Sequence, residues 1–598
     1  MHPYSAEAPQ VVGLSIEPRQ RILPFKGHQQ LAVLARYSDG QVRDVTRTSA
    51  LASNLDVVAS VSEDAYVTCG EQSGEATIMA RYMGQVAVFS AILPHSQPRT
   101  EIPGFATDSY IDRLSAEKWK KLGLLPSPKC DDTTFLRRVT VDLCGRLPTV
   151  EEVRAFTADT SSRTSEPRRL IACSIRRIMP RSLPCGREQS FATQAWPGGD
   201  QASYAFHNWL KEMIARNRPY DEMARGIIAA AGEWQDAPAI NWYWQSRDDQ
   251  LHRVTSDTAQ VFLGTRLQCA RCHHHPYEKW GQDDYYGLAG FFSRLGRKSF
   301  GQPPPYFSSS QVTTGEKNPL TGKAPEPKYL GGTAPTFKAE DDPRHALVDW
   351  MAQPDNPFFA KAFVNRMWGH FMGRGLVHEV DDLRETNPAS NPELLDALAK
   401  DFIDHKFDMK HVIRSIVISN VYQLSSEPTE HNKHDQQNFA RFYARRLISE
   451  VVVDAFDQAT GTKTRFGGVS STGRAIDLPH ENFGNYFLEA FDRPKRVSGC
   501  ECERSSSATL AQVLLLANSN ETEDKIASEQ GIIKRKLDEK LSPAEIIEHL
   551  YLGTFSRQPT SVELEKSTKY VDAQENKRQA LEDILWTLTN SREFLFNH

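Results

Sequence analysis

A short segment near the middle of the chain combines two cysteines and a histidine at a spacing used for haem attachment. Cys269, Cys272 and His273 form Cys-x-x-Cys-His, the pattern to which c-type haem is attached. Two thiols three residues apart can each add to one haem vinyl group, and the adjacent histidine is then held against the iron. With 9 cysteines and 18 histidines in 598 residues, chance gives about 0.004 such motifs. The motif therefore predicts covalent haem c with His273 as an iron ligand.

The same segment leaves three other interpretations open. Cys269, Cys272, His273 and His275 together offer four soft or borderline donors, which could enclose a tetrahedral metal such as zinc. The two cysteines could instead form a reducible disulfide or remain plain buried thiols. His275 is only two residues from His273, so it is not a sensible distal ligand on the same haem. Whichever group binds, we expect the two thiols and His273 to act as one non-additive unit.

The composition is that of an ordinary globular protein. Apolar residues make up 39%, charged residues 25% and aromatic residues 10% of the chain, which excludes wholesale disorder and fibrous structure. The 71 basic and 76 acidic residues give a net charge of −5, so we expect no nucleic-acid partner. No apolar run approaches the ~18 residues of a membrane helix, so we expect no transmembrane segment. The usual motifs of serine hydrolases, P-loop proteins and zinc proteases are missing from the sequence.

The hydrophobic pattern divides the chain into an all-β part and a mainly helical part. Residues 11–94 show alternating apolar positions with turn residues about every 10 positions, which predicts a small β-sandwich. A helical domain is expected at 105–299, a linker or long loop rich in Pro, Gly, Ser and Lys at 300–345, and a second mainly helical domain at 346–598. Residues 171–198 keep no steady period, so they are either an irregular basic loop or a locally frame-shifted stretch.

Two smaller clusters carry weaker signals. Cys500 and Cys502 are two residues apart, too close for an easy mutual disulfide, and they belong either to a packed loop or to a metal corner with Glu503. An acidic group downstream of the haem motif could bind calcium or act as a glycosidase pair, but a solvated or arginine-paired acidic loop is favoured. This group consists of Glu379, Asp381, Asp382 and Glu385.

The N-terminal region resembles the bacterial Ig-like group 2 domain. The resemblance covers almost all of residues 11–94 and implies an extracytoplasmic spacer or adhesion unit without catalytic residues. It is carried by the segments 16–18 (IEP), 37–40 (YSDG), 44–46 (DVT), 53–54 (SN), 74–78 (GEATI) and 80–82 (ARY).

The remainder resembles two domains that occur together. Segments 137–149 (RRVTVDLCGRLPT), 264–280 (GTRLQCARCHHHPYEKW) and 284–292 (DYYGLAGFF) are similar to the planctomycete cytochrome-like domain of unknown function. Segments 365–377 (NRMWGHFMGRGLV), 381–384 (DDLR), 387–395 (NPASNPELL), 500–504 (CECER) and 590–598 (NSREFLFNH) are similar to the planctomycete-specific domain usually found with it. Residues 171–198 depart from the family pattern, where a regular helix with a tryptophan is expected.

The resemblance implies an exported protein whose activity is not established. It implies a periplasmic or extracellular location, a link to polysaccharide use, and a co-encoded exported protein or a glycan as partner. Haem attachment also takes place outside the cytoplasm. Residues 1–8 lack the charged and apolar regions of a signal peptide, so we expect a truncated or wrongly assigned start.

Three hypotheses about function follow from the sequence. The first is an exported haem c redox protein built around Cys269, Cys272 and His273. The second is an extracytoplasmic binding or scaffold protein for a glycan or a partner protein, without catalysis. The third is a metal-site protein that uses the same cluster with His275. A haem spectrum of the purified protein separates all three.

Overall fold

The structure is a computed structural model that describes most of the chain. It covers residues 8–158, 200–246, 250–297, 305–307, 317–338, 340–466, 473–478, 483, 485–491 and 519–598. The irregular segment 171–198 and the pair Cys500 and Cys502 lie outside the described residues, so what the sequence predicts for them stays a prediction.

Residues 11–93 form an all-β region, as the alternating pattern predicted. The strands are β1 Val11–Glu17, β2 Gln20–Ile22, β3 His28–Gln30, β4 Ala32–Tyr37, β5 Val42–Asp44, β6 Ala50–Ser53, β7 Ala59–Val61, β8 Tyr66–Cys69, β9 Gly74–Tyr82 and β10 Gln85–Leu93. Three sheets pair as β1-β4-β5, β2-β10-β9-β6 and β3-β8-β7. In β4 the side chains of Val33, Ala35 and Tyr37 are buried while those between them are more exposed, which is the period-2 alternation of a sheet with one covered face.

A mainly helical body follows this β region. Its described α-helices are Tyr110–Leu122, Asp132–Cys144, Val150–Ala158, Asp200–Ala215, Tyr220–Ile228, Gln250–Leu263, Gln282–Gly290, Pro343–Met351, Phe359–Met372, Pro392–Asp404, Met409–Val417, Ser449–Thr460, Tyr486–Ala490, Asn520–Ile526, Ile532–Asp538, Pro543–Phe555, Ser561–Ala573, Lys577–Thr589 and Arg592–Leu595. Two short strand pairs accompany them, β11 Leu295–Arg297 with β12 Pro305–Phe307, and β13 Arg445–Arg446 with β14 Phe596–Asn597. None of the helices in the described ranges has the length and apolar character needed to cross a membrane.

Local signals explain where the first helices begin and end. Ser109 caps Tyr110–Leu122 through a reciprocal capping box with Asp112, and Gly123 ends that helix at φ 67°. Thr149 and Glu152 exchange the same pair of hydrogen bonds at the start of Val150–Ala158. These caps occupy backbone N–H groups that the first helical turn leaves unpaired.

The two helical regions share their hydrophobic cores. One core cluster joins side chains on both sides of the 300–345 segment, among them Trp119, Phe262 and Trp368. Arg137 is fully buried on helix Asp132–Cys144 and donates to the carbonyls of Thr554 (2.6 Å) and Phe594 (2.8 Å), near the end of the chain. Helices on both sides of residue 300 therefore contribute to one hydrophobic core.

A histidine in the C-terminal helices makes stability depend on pH. Burial, assisted by Lys536 and Arg154, lowers the pKa of His549 from 6.5 to about 4. Between these values the unfolded chain binds a proton that the folded chain does not, so stability falls as pH decreases from 6.5 to about 4. We expect His549→Gln to flatten that part of a plot of urea midpoint against pH. His345→Gln, at an exposed histidine, serves as the control and leaves the slope unchanged.

Candidate functional site

The Cys-x-x-Cys-His motif occupies one tight turn between two helices. The turn follows helix Gln250–Leu263 and includes the 3-10 helix Gln268–Arg271. The backbone N–H groups of Cys272 and His273 both donate to the carbonyl of Cys269 at 3.3 Å. The three residues of the motif thus share a single turn of backbone, as their spacing requires.

The side chains of the motif are exposed. Cys269 and Cys272 are free thiols on the surface, and His273 is exposed beside them. Nδ1 of His273 lies 2.7 Å from the carbonyl of His274; because a carbonyl only accepts, Nδ1 donates, and in the neutral ring Nε2 is the nitrogen with a free lone pair. Among the described residues Nε2 of His273 has no hydrogen-bond partner. A hydrogen bond from one ring nitrogen orients a histidine so that its other ring nitrogen can bind a metal.

His275 has a different environment. Its side chain is only 7% exposed. Nδ1 accepts from the backbone N–H of Tyr277 at 3.2 Å, and the ring also bonds the backbone of Arg266. Burial lowers the pKa of His275, and the charge of Arg384 lowers it further. The ring of His275 is therefore engaged inside the protein, while His273 is open to a ligand.

The four candidate ligand residues do not converge on one point. In the ranges that the structure covers, no three of their ligand atoms lie within 4.8 Å of one another, although a different group elsewhere does. A tetrahedral zinc with bonds of ~2.0–2.3 Å holds its ligand atoms about 3.3–3.8 Å apart. A haem takes its thiols at the ring edge and its histidine at the central iron.

The acidic loop that follows helix Phe359–Met372 holds the motif segment from one side. Asp381 accepts from Arg266 (2.5 Å) and from Gln260 (2.7 Å). Glu385 pairs with Lys279 at 2.7 Å. The acidic group is therefore paired with basic side chains, as the sequence favoured, and it positions the motif segment.

The β region holds the motif from the other side. The turn between β9 and β10 contains Met83 (φ 47°) and Gly84 (φ 78°). The carbonyl of Gly84 lies 2.8 Å from Nε2 of His274, and Arg81 donates to the carbonyl of Pro276 at 3.0 Å. Met83 is 72% exposed at the tip of this hairpin, with a backbone conformation that non-glycine residues rarely adopt. No sequence pattern predicted that the β region would dock on the haem motif.

Gly84→Ala is expected to loosen the docked hairpin. A Cβ at Gly84 would lie 2.9 Å from Nε2 of His274, so the imidazole must move and its hydrogen bond to the Gly84 carbonyl weakens. Gly40 has a similar φ of 83° but open space around it, so Gly40→Ala shares the backbone strain without the contact. We expect faster amide exchange in residues 268–276 only in Gly84→Ala. Equal exchange in both variants would contradict the docking.

A second cluster was missed from the sequence. Asp401, His405 and His411 bring one ligand atom each within 4.8 Å of one another. The available signal was an Asp and a His four residues apart at a helix end, followed by a second His just after a turn. That pattern has no familiar motif, so only the structure brought the three residues together.

Comparison with known families identifies the two helical regions. The family model PSCyt2, described as a protein of unknown function (DUF1549), matches residues 110–297, and PSD1, a protein of unknown function (DUF1553), matches residues 343–571. The two models match separate, consecutive parts of the chain. They are the planctomycete cytochrome-like and C-terminal domains that the sequence resembled, which confirms that part of the resemblance. The Ig-like resemblance stays a prediction, and a search of curated proteins gave no match.

The PSCyt2 and PSD1 domains both contribute to the motif site. The PSCyt2 domain supplies Cys269, Cys272 and His273, and the PSD1 domain supplies the acidic loop with Asp381 and Glu385. The hairpin with Gly84 adds the contact from the β region. Three separate parts of the chain therefore determine the orientation of the motif.

Proposed function

We propose that this PSCyt2–PSD1 protein binds one c-type haem covalently and acts as a redox protein outside the cytoplasm. The observation that carries the proposal is the state of the motif: two exposed free thiols beside a histidine whose Nε2 is open. The residues that would hold the group are Cys269 and Cys272 through thioether bonds and His273 at the iron. The link to polysaccharide use comes from the family resemblance and belongs to this proposal.

Each protein residue has a defined part in that site. Cys269 and Cys272 attach the group to the chain, so it cannot dissociate between turnovers. The carbonyl of His274 fixes the ring of His273 in the tautomer whose Nε2 is free to bind iron. His274 itself is held by the hairpin carbonyl of Gly84, so the β region restrains the backbone next to the ligand. When bound, a haem supplies reversible one-electron transfer.

The test is production of the full chain in a periplasm with a haem-attachment system. We expect about one haem per chain that survives denaturation, gives a pyridine haemochrome spectrum and adds the mass of one haem to the intact protein. The same chain produced in the cytoplasm without that system is the control and stays haem-free. A folded periplasmic product without covalent haem would overturn the proposal.

A cleft elsewhere in the molecule favours a second function, binding of a glycan or partner. The cleft has a volume of about 700 Å³, in the range of ligand pockets. Arg441 lies over the ring of Tyr443 at 5.2 Å and Arg592 over that of Phe596 at 5.3 Å. Nε of Arg441 is buried without a hydrogen-bond partner in the described part of the chain. The two guanidinium groups suit the carboxylate oxygens of an acidic sugar on the arginine side of the cleft, which Glu427 and Glu593 also line.

Titration with neutral and uronic-acid oligosaccharides separates the two functions. A binding protein of this kind prefers the acidic sugars, and it loses that preference in Arg441→Ala/Arg592→Ala. Arg113→Ala, at an exposed arginine outside the cleft, is the matched control. If the wild type carries no haem and the Cys269→Ala variant still binds the acidic sugars, the scaffold function is favoured over the redox function.

A further inference from the structure

Asp401, His405 and His411 meet at the junction of two helices of the PSD1 domain. Asp401 lies in the last turn of Pro392–Asp404, His405 follows that helix directly, and His411 lies in the first turn of Met409–Val417. Each residue offers one ligand atom, and these atoms lie within 4.8 Å of one another.

The two imidazoles share one carboxylate. Nδ1 of His405 is 3.1 Å from Oδ1 of Asp401, and Nε2 of His411 is 3.0 Å from Oδ2. The two rings are stacked, with centroids 3.6 Å apart and planes inclined by 14°. A metal ion lies close to the plane of each imidazole that binds it, so the exposed ring of His405 would turn out of this stack on ligation. A cation between the three ligand atoms satisfies both rings and the carboxylate at once.

Surrounding contacts hold Asp401 and the turn between the two helices in place without a bound ion. The hydroxyl of Tyr110 donates to Oδ2 of Asp401 at 3.0 Å, the kind of outer hydrogen bond that orients a metal-binding carboxylate. The turn between the helices is anchored by the buried ring of Phe407, which packs against Phe402 at 5.3 Å. The backbone carbonyl of Asp401 accepts from Nδ1 of His405 at 2.8 Å, a bond that metal ligation at Nδ1 would replace.

We infer that Asp401, His405 and His411 form a binding site for a borderline divalent transition-metal ion, with zinc as the representative. Two imidazoles and one carboxylate are a common zinc ligand set, whereas calcium and magnesium prefer oxygen ligands alone. The N···O distances of 3.0 and 3.1 Å are close to the ~3.3 Å edge of a tetrahedral zinc site. His405 is exposed, so the fourth position faces solvent. This site is separate from the haem motif and independent of the proposed haem.

Zinc titration of the full chain tests the site after the exposed thiols are alkylated with iodoacetamide, which removes cysteine as a ligand. We expect one zinc ion per wild-type chain. Asp401→Asn and His405→Ala each remove a direct ligand. Loss of an outer hydrogen-bond partner can weaken metal binding ~100-fold, so we expect each of these two variants to weaken zinc binding by at least that factor. Tyr110→Phe removes only the outer hydrogen bond and should weaken zinc ~10-fold to 100-fold.

Two controls make the outcome decisive. His431→Ala removes an exposed histidine outside the cluster and should bind zinc as the wild type does. Cobalt in place of zinc should give visible d–d bands without the near-ultraviolet thiolate bands of a cysteine site. Circular dichroism shows whether each variant is folded. Because His405→Ala changes an exposed side chain, it should fold and can still test the site if Asp401→Asn fails to fold. Wild-type affinity in folded His405→Ala would overturn the inference.

Discussion

The double variant Cys269→Ala/Cys272→Ala is expected to carry no covalent haem when it is produced with a haem-attachment system. Both thioether bonds depend on these two thiols, which are free and exposed in the structure. Covalent haem should fall from one per chain to background, measured by the pyridine haemochrome spectrum of the denatured protein. His273→Ala should lose stable haem incorporation as well, because it removes the iron ligand. The motif then behaves as one unit whose single and triple losses are alike.

Cys130→Ala is the matched control for this prediction. Cys130 is a free, half-buried cysteine whose backbone N–H bonds Gln423, and nothing places its thiol at the motif. It should retain one haem per chain. Small, additive losses of stability in all the cysteine variants, with no bound haem in the wild type, would show that the motif only packs.

Among the proposed substitutions, Asp142→Ala is expected to cause the largest loss in the free energy of unfolding. Asp142 is buried on helix Asp132–Cys144 and accepts from three distant side chains: Tyr422 (2.7 Å), Arg445 (2.5 Å) and Asn597 (2.7 Å). Burial raises the pKa of Asp142, and the Arg445 charge opposes that rise. Removal of the carboxylate leaves Arg445 and two polar groups without their partner. We expect a loss of about 3–5 kcal/mol in the free energy of unfolding, from urea titration followed by circular dichroism.

Asp132→Ala provides the comparison on the same helix. Asp132 is exposed in the first turn, where its charge is favourably placed at the positive end of the helix dipole. That interaction contributes ~0.3–1 kcal/mol. A loss in Asp142→Ala no larger than that in Asp132→Ala would mean that the buried network does not join the two family domains energetically.

Local patterns in the sequence determined the architecture of this protein. Alternating apolar residues such as Val33 and Ala35 predicted the β region, because only one face of each strand is covered. The Thr149–Glu152 capping box is specified by local sequence alone, since both of its hydrogen bonds join residues three positions apart. The spacing of Cys269, Cys272 and His273 predicted the candidate site, because three residues of one turn need no distant partner to be close.

The tertiary structure decided what surrounds these local elements. The docking of Gly84 on His274 joins residues 190 positions apart, and Asp401 meets Tyr110 across 291 positions. No periodicity encodes such pairs, because they depend on how whole helices and sheets pack. His275 shows the same limit: its sequence neighbours suggest a ligand, while burial and two backbone partners engage its ring inside the protein. Chemistry within one turn was readable from the sequence; contacts between distant segments required the packed fold.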